Sequence, residues 1–272
     1  MLSPLTLDDG TSYLLLLNPT GGVLGGDRLR TEIDLGEHSS VCLSTPSSTR
    51  IYRSGGSTDG RTGEETGEST SGPPSEIHSV LRLANGATLE YVPDHVIPHA
   101  GSSLRQTLRI EMQEGSRGIF LDAFAAGRIA QNENWRFREF DSRTEVALRG
   151  KLIYLSRTNI AGAAQPATNH SPLVTSHSSP PSLGCMSTYC YCASLLIVAD
   201  SFPDWRPVLA SLRAELDAVP GIIGGASLLT KAGCSARYLA SSAIALHEAT
   251  RRLWTAARRA VLHLPPFDPR KY

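Results

Sequence analysis

Two glycine pairs, Gly21-Gly22 and Gly25-Gly26, close an apolar run and lead into Asp27-Arg28. A glycine turn of this kind holds phosphates when it ends in Gly-Lys-Ser/Thr, so that backbone amides and a lysine face the anion. Here it ends in an aspartate, which repels a phosphate. Gly-x-Gly-x-x-Gly is also absent, and Thr31-Glu32-Ile33-Asp34-Leu35 alternates as a strand does. Locally the segment reads as a tight connection between strands. No Gly-x-Ser-x-Gly elbow marks a nucleophile. His95 and His99 have the spacing of two ligands on one helical turn, but Pro93 and Pro98 oppose a helix. In an extended segment their rings stand about 13 Å apart. They read as hydrogen-bonded or solvent-edge histidines. Cys185, Cys190 and Cys192 offer thiolates for a zinc site without an evident fourth ligand, and buried thiols also pack as small apolar groups. Cys42 reads as a core residue. Arg251, Arg252, Arg258 and Arg259 form basic pairs seven residues apart, the pattern of a solvated helix face. Asp27, Glu90, Asp94, Asp122 and Glu133 lie beside glycines and prolines. Such carboxylates either cap turns and pair with Arg28 or Arg128, or act as hard oxygen ligands that hold a divalent metal loosely.

Taken in order, the motifs resemble one family. Residues 18–27 read Asn-Pro-Thr-Gly-Gly-Val-Leu-Gly-Gly-Asp, and residues 43–54 form a Thr- and Ser-rich segment ending in Arg-Ile-Tyr-Arg-Ser, with Tyr52 inside it. Residues 85–94 read Asn-Gly-Ala-Thr-Leu-Glu-Tyr-Val-Pro-Asp, with Glu90 and Pro93. Gly127 and Arg128 open a Gly-Arg-x-Ala segment that ends at Glu133. Gly-Ala-Ser-Leu-Leu at 225–229, Arg-Tyr-Leu at 237–239, Leu253-Trp254 with Arg258, and Pro269-Arg270 follow. This succession resembles the urease accessory protein UreD (also UreH) family. Gln131-Asn132 replaces the family's small residue and glycine before Glu133, and Asp122 stands where a glutamate is usual. The family also carries a first strand and a Gly-Pro-Leu element ahead of the glycine turn. Almost none of that precedes the turn here, so an exposed sheet edge and poor solubility without partners are expected.

The resemblance implies stacked β-sheets in a helix-like winding with a few C-terminal helices. It implies no enzyme activity but a scaffold chaperone in urease maturation. Such a protein binds apo-urease and the F-type accessory protein, and through the latter recruits the G-type GTPase that brings nickel. It also implies no permanently bound cofactor, only transient Ni²⁺, with Glu90, Asp122 and Glu133 as candidate carboxylates along a nickel passage. Two other readings remain open: an interaction scaffold without metal transit, and a small metal-binding protein using Cys185, Cys190 and Cys192.

Composition agrees. The 272 residues are 40% hydrophobic, enough for a sizeable core, and 26 basic residues balance 26 acidic ones, so nothing points to nucleic acid or an anionic membrane. No apolar run approaches the roughly 20 residues that span a bilayer. Residues 1–10 show no signal peptide, and five cysteines without a regular framework fit reduced thiols in the cytoplasm. The chain reads as a single domain over 1–272, β-rich to residue 200 and helical over 201–264, with flexible insertions at about 55–75 and 161–184.

The elements that must position these groups are legible in the period. Leu104, Leu108, Ile110 and Met112 alternate with Arg105, Thr107, Arg109 and Glu111, which predicts a half-buried strand in a largely antiparallel fold. Ala84-Asn85-Gly86 and Arg149-Gly150 predict hairpins, and 194–198 a buried strand. Trp205, Val208, Leu209, Leu212 and Leu216 predict a helix stopped by Pro220-Gly221. A near-heptad stripe from Leu239 to Val261 predicts another, stopped by Pro265-Pro266.

Overall fold

The computed structural model describes residues 4–18, 20–53, 72–162, 186 and 188–269. The insertions expected at 55–75 and 161–184 lie, apart from their edges, outside the described residues. The chain runs through β1 (Leu5–Thr6), β2 (Ser12–Leu15), β3 (Arg28–Leu35), β4 (Ser40–Ser44), β5 (Thr49–Ile51), β6 (Ser75–Leu83), β7 (Thr88–Tyr91), β8 (Val96–Pro98) and β9 (Ser103–Met112). Then come β10 (Arg117–Ala125), β11 (Glu139–Leu148), β12 (Lys151–Ala161), β13 (Tyr191–Ala199), helix α1 (Arg206–Asp217), β14 (Ile222–Leu228), β15 (Gly233–Ala240) and helix α2 (Ala243–Ala257). A π turn over Arg258–Leu262 continues α2.

The fold is mainly β, in two sheets. One orders β1-β2-β4-β7-β10-β13-β15-β14, with β5 and β8 beside β10; the other orders β12-β11-β9-β6-β3. From β2 to β11 the chain passes back and forth between them, so strands of successive passes pair in parallel: β2 with β4, β4 with β7 and β7 with β10 in one sheet. In the other, β3, β6, β9 and β11 do the same. This is the helix-like winding expected. The largely antiparallel pairing expected is thereby corrected: β9 itself has parallel partners on both sides, and antiparallel pairing is found at β1–β2, β11–β12 and the β10–β13–β15–β14 run.

The winding explains a further correction. Ala84-Asn85-Gly86 does not close a hairpin: β6 pairs with β3 and β9 in one sheet, whereas β7 pairs with β4 and β10 in the other. The turn signal is real, with Gly86 at φ 66°, but each flanking strand has a parallel partner in a different layer. Arg149-Gly150 does close a hairpin, with Leu148 opposite Lys151 and both turn residues at positive φ, as a type I′ turn requires.

The central strands are buried on both faces and read as continuous apolar runs for that reason. On β10 and β13, Ile119, Leu121, Leu195 and Ile197 face the helices, while Phe120, Leu196 and Val198 face the second sheet. Helix α1 buries Val208, Leu212 and Leu216, and α2 buries Leu246, Ala249, Leu253 and Trp254. Each large apolar side chain so buried contributes about 1.5–3 kcal/mol. Ser242 caps α2, its hydroxyl accepting from the Ala245 amide at 3.1 Å. The stripe read from Leu239 starts too early: Leu239 belongs to β15, and a β14–β15 hairpin interrupts the helical stretch. Among the described residues, no helix is long and apolar enough to cross a membrane.

Candidate functional site

The glycine turn is built by its own side chains. Asn18 Nδ2 and Thr20 Oγ1 both donate to the Gly22 carbonyl, at 3.3 and 2.7 Å, and the Asp27 carboxylate accepts from the Leu24 amide at 2.9 Å. Val23 then bridges to β5, its amide donating to Arg50 O while Tyr52 N donates back to Val23 O, both at 2.8 Å. A Cβ on Gly22 would strike the Tyr52 ring and stand 2.7 Å from Arg50 O. Glycine is required there by close approach.

Tyr52 carries the turn into the next motif. Its ring meets His99 edge-on at 4.7 Å. Glu133 accepts from the Ala100 amide at 3.2 Å and from Arg128 Nε at 2.8 Å, and a second Arg128 nitrogen reaches its other oxygen. Arg128 thereby holds the Glu133 carboxyl below its usual range. Gly127 sits at φ 143°, where a Cβ would meet the Glu133 backbone carbonyl. Asn132 adopts φ 56°, a conformation asparagine tolerates better than most residues. Gly22, Tyr52, His99, Arg128 and Glu133, drawn from several segments, thus converge at one end of the winding.

Asp122 lies elsewhere. It projects from β10 into the space between the sheets and accepts from Gln106 Nε2 of β9 at 3.0 Å and Ser142 Oγ of β11 at 2.8 Å. Burial pushes its pKa up, against those two hydrogen bonds. Its neighbours in strand, Phe120 and Phe124, belong to different apolar clusters. A polar seam therefore divides the inter-sheet core. Beside it lies a cavity of ≈ 10 Å³, room for about one water, lined by Asp122, Thr144, Tyr154, Ser156 and Ser194 together with Leu108, Phe120, Leu121 and Leu196.

Glu90 faces the opposite way, towards the helices. It is 1% exposed and accepts from Trp254 Nε1 at 2.5 Å. Arg258 Nη1 stands 3.5 Å from its other oxygen, and Arg258 Nη2 pairs with Asp9 at 2.7 Å. The guanidinium also lies over Trp254 and Phe267, 5.9 and 5.5 Å from the ring centres. Burial raises the Glu90 pKa, with Arg258 and Trp254 opposing. Arg258 is wholly buried, so it leaves the solvated basic face that its spacing predicted. Arg251 and Arg252 stay on the surface and pair with Glu248.

The structure does not bring Glu90, Asp122 and Glu133 together; they occupy the helix-facing layer, the inter-sheet seam and the end cluster. Asp27 serves its turn, and Arg28 pairs with Glu76 rather than Asp27, at 3.1 Å. Pro93 lies between β7 and β8. Cys42 is in the core, Cys185 falls outside the described residues, and among the described residues no group of three His, Cys, Asp or Glu side chains is placed to hold a metal. His95 is buried near Ser48, Tyr191 and His247.

Reading by period missed Asp9, Gln106 and Ser142. Gln106 carried a signal: it occupies an inward position of β9 between Leu104 and Leu108, a polar break in the apolar face.

The fold and its motifs define a β-wound protein whose motif glycines, arginines and carboxylates build turns and ion pairs. The match to UreD urease accessory protein covers residues 1–272, and the chain belongs to that family. Among its relatives, the urease accessory protein UreD of Mycolicibacterium gilvum (strain PYR-GCK) is 30% identical over 93% of this chain and 81% of its own. That of Opitutus terrae is 29% identical over 94% and 80%, and that of Deinococcus radiodurans 28% over 100% and 85%. These relatives are named as accessory proteins, and the family places this chain in urease maturation.

Proposed function

We propose that this chain is a non-enzymatic scaffold chaperone for nickel insertion into apo-urease. It bridges the apo-enzyme to the F-type accessory protein and, through that protein, to the G-type GTPase, in the cytoplasm and without nucleic-acid or membrane partners. Nickel is its cargo, held transiently, and the chain retains no cofactor of its own. Asp122 carries the passage part of this reading. A carboxylate set among hydroxyl and amide groups between two apolar clusters is a weak oxygen ligand on a polar route, the type of site that hands a metal on. Glu90 and Glu133 are candidate carboxylates of the same route. Their engagement by Arg258, Trp254 and Arg128 also favours a second reading, in which they only hold the scaffold in shape.

Co-expression of apo-urease and its accessory proteins, with and without this chain, tests the role through urease activity and nickel content. Asp122→Asn tests the passage, because the amide oxygen still accepts from Ser142 while the charge is lost. The expected result is an assembled complex with lowered nickel content and activity. Full activation by Asp122→Asn would leave the pure scaffold standing. Full activation without the chain would remove the role altogether.

A further inference from the structure

The outer face of the second sheet carries a charge pattern that the maturation reading does not use. Cross-strand register sets Arg30 of β3 beside His78 of β6, His78 beside Thr107 of β9, Thr107 beside Arg143 of β11, and Arg143 beside Arg157 of β12. Strands are about 4.8 Å apart, so the row crosses the sheet over about 19 Å. It contains no acidic residue. Its arginine side chains stand in solvent, at 74% exposure for Arg30 and 59% for Arg157. His78 Nδ1 and Thr107 Oγ1 are 2.7 Å apart in the middle of the row. Arg109, one row along, adds a further exposed guanidinium, at 61%.

The acids that balance these arginines sit off the row. Arg30 pairs with Glu32 and Arg143 with Glu145, each two residues along its own strand, and Arg157 pairs with Asp141 of the neighbouring strand. Exposed pairs of this sort are worth little, about 0–1 kcal/mol, so an incoming carboxylate can compete for the guanidiniums. The face is also concave: Arg30, His78, Thr107, Arg109 and Arg143 line a surface recess of ≈ 440 Å³. Val80, on the same outward face, adds apolar contact among the charges, and Glu145 also lines the recess.

We propose that this row is a docking surface for an acidic segment of a protein partner, laid across the strands with its carboxylates on the arginines. Charge complementarity identifies the occupant. The row sets Arg30 at one end and Arg143 and Arg157 together at the other, planar donors suited to carboxylates, while the chain's formal net charge of zero provides no broad positive field of the kind that gathers nucleic acid. The proposal goes beyond the nickel passage and stands without it, since Asp122 belongs to β10 of the first sheet and the seam lies between the sheets, behind this outer face.

The test uses the purified full chain and a short fluorescent oligoglutamate peptide, with an oligoglutamine peptide and single-stranded DNA alongside. The expected result is salt-sensitive binding of the glutamate peptide, no comparable binding of the glutamine peptide, and weaker binding of the DNA. Arg30→Gln/Arg143→Gln should weaken the glutamate peptide by roughly tenfold or more. Because both side chains are exposed, an unchanged thermal midpoint would show that the variant is folded. Equal binding of both peptides, equal binding by wild type and variant, or preference for the DNA would each overturn the proposal. None of those outcomes bears on Asp122→Asn, so the two readings fail separately.

Discussion

Arg258 takes a full positive charge out of water, and Asp9 and Glu90 answer it from the β1–β2 turn and from β7. Removing one member of a buried ion pair costs about 3–5 kcal/mol, because the remaining charge stays buried and uncompensated. Arg258→Met should therefore lower unfolding stability by that order in urea titration. Glu90→Gln/Arg258→Met should lose less than the sum of its single variants, since the two effects share one contact. Additive losses would mean that Glu90 and Arg258 are energetically independent despite their 3.5 Å approach. The sequence did not reveal this role. The seven-residue step does put Arg251 and Arg258 on nearly one face of α2, but the last turn is covered by Asp9 and Phe267, which a helical period does not show. Trp254 and Arg258 were legible as motif residues; the contact that joins them to Glu90 spans 164 positions and leaves no local trace.

Elements here are fixed by where glycine is unavoidable, and the family's glycines are not equivalent. Gly22 lies against Tyr52 and Arg50, and Gly127 against the Glu133 carbonyl, whereas a Cβ on Gly225 meets nothing within 4 Å. Gly22→Ala and Gly127→Ala should each destabilise by about 1–3 kcal/mol, through overpacking at the first and a backbone clash with strain at the second. Gly225→Ala should be neutral or slightly stabilising, because it only reduces unfolded-state freedom. Thermal midpoints of the three variants check this, and an equal loss in all three would contradict it. The same contrast shows what a sequence can convey about elements. Period and turn residues were enough for β9, α1 and the β11–β12 hairpin, where the partner is local or the pattern strict. They failed at Asn85-Gly86, because sheet membership depends on neighbours from other passes of the winding. They also failed at β14 and β15, where exposed Gly224 and Gly225 blur the alternation of an edge strand.

At the scale of the whole molecule, the helical layer meets the first sheet where His95, just ahead of β8, approaches His247 of α2, with ring centres 5.8 Å apart. Burial, then the neighbouring His247, lowers the His95 pKa from 6.5 to about 4. The folded protein thus keeps His95 neutral over a range in which the unfolded chain binds a proton. Stability is fully present above pH 6.5 and falls as the pH drops towards 4. By linkage the loss is on the order of 3 kcal/mol across that window. Asp122 and Glu90 act in the opposite sense. Their raised pKa values make the fold bind more protons than the unfolded chain, so they gain stability on acidification and blunt the loss. Glu133, whose pKa is lowered, loses its contribution only below the ordinary carboxylate range. Urea midpoints at about pH 7 and pH 5 should therefore fall for the wild type, and fall less for His95→Gln, which cannot take up the proton but still offers a hydrogen bond to Ser48. Parallel losses in the two proteins would move the acid sensitivity away from the helix–sheet junction. A smaller loss in His95→Gln, with unchanged stability at the higher pH, would place it there and show that the layer of helices is held to the sheet by a histidine kept uncharged.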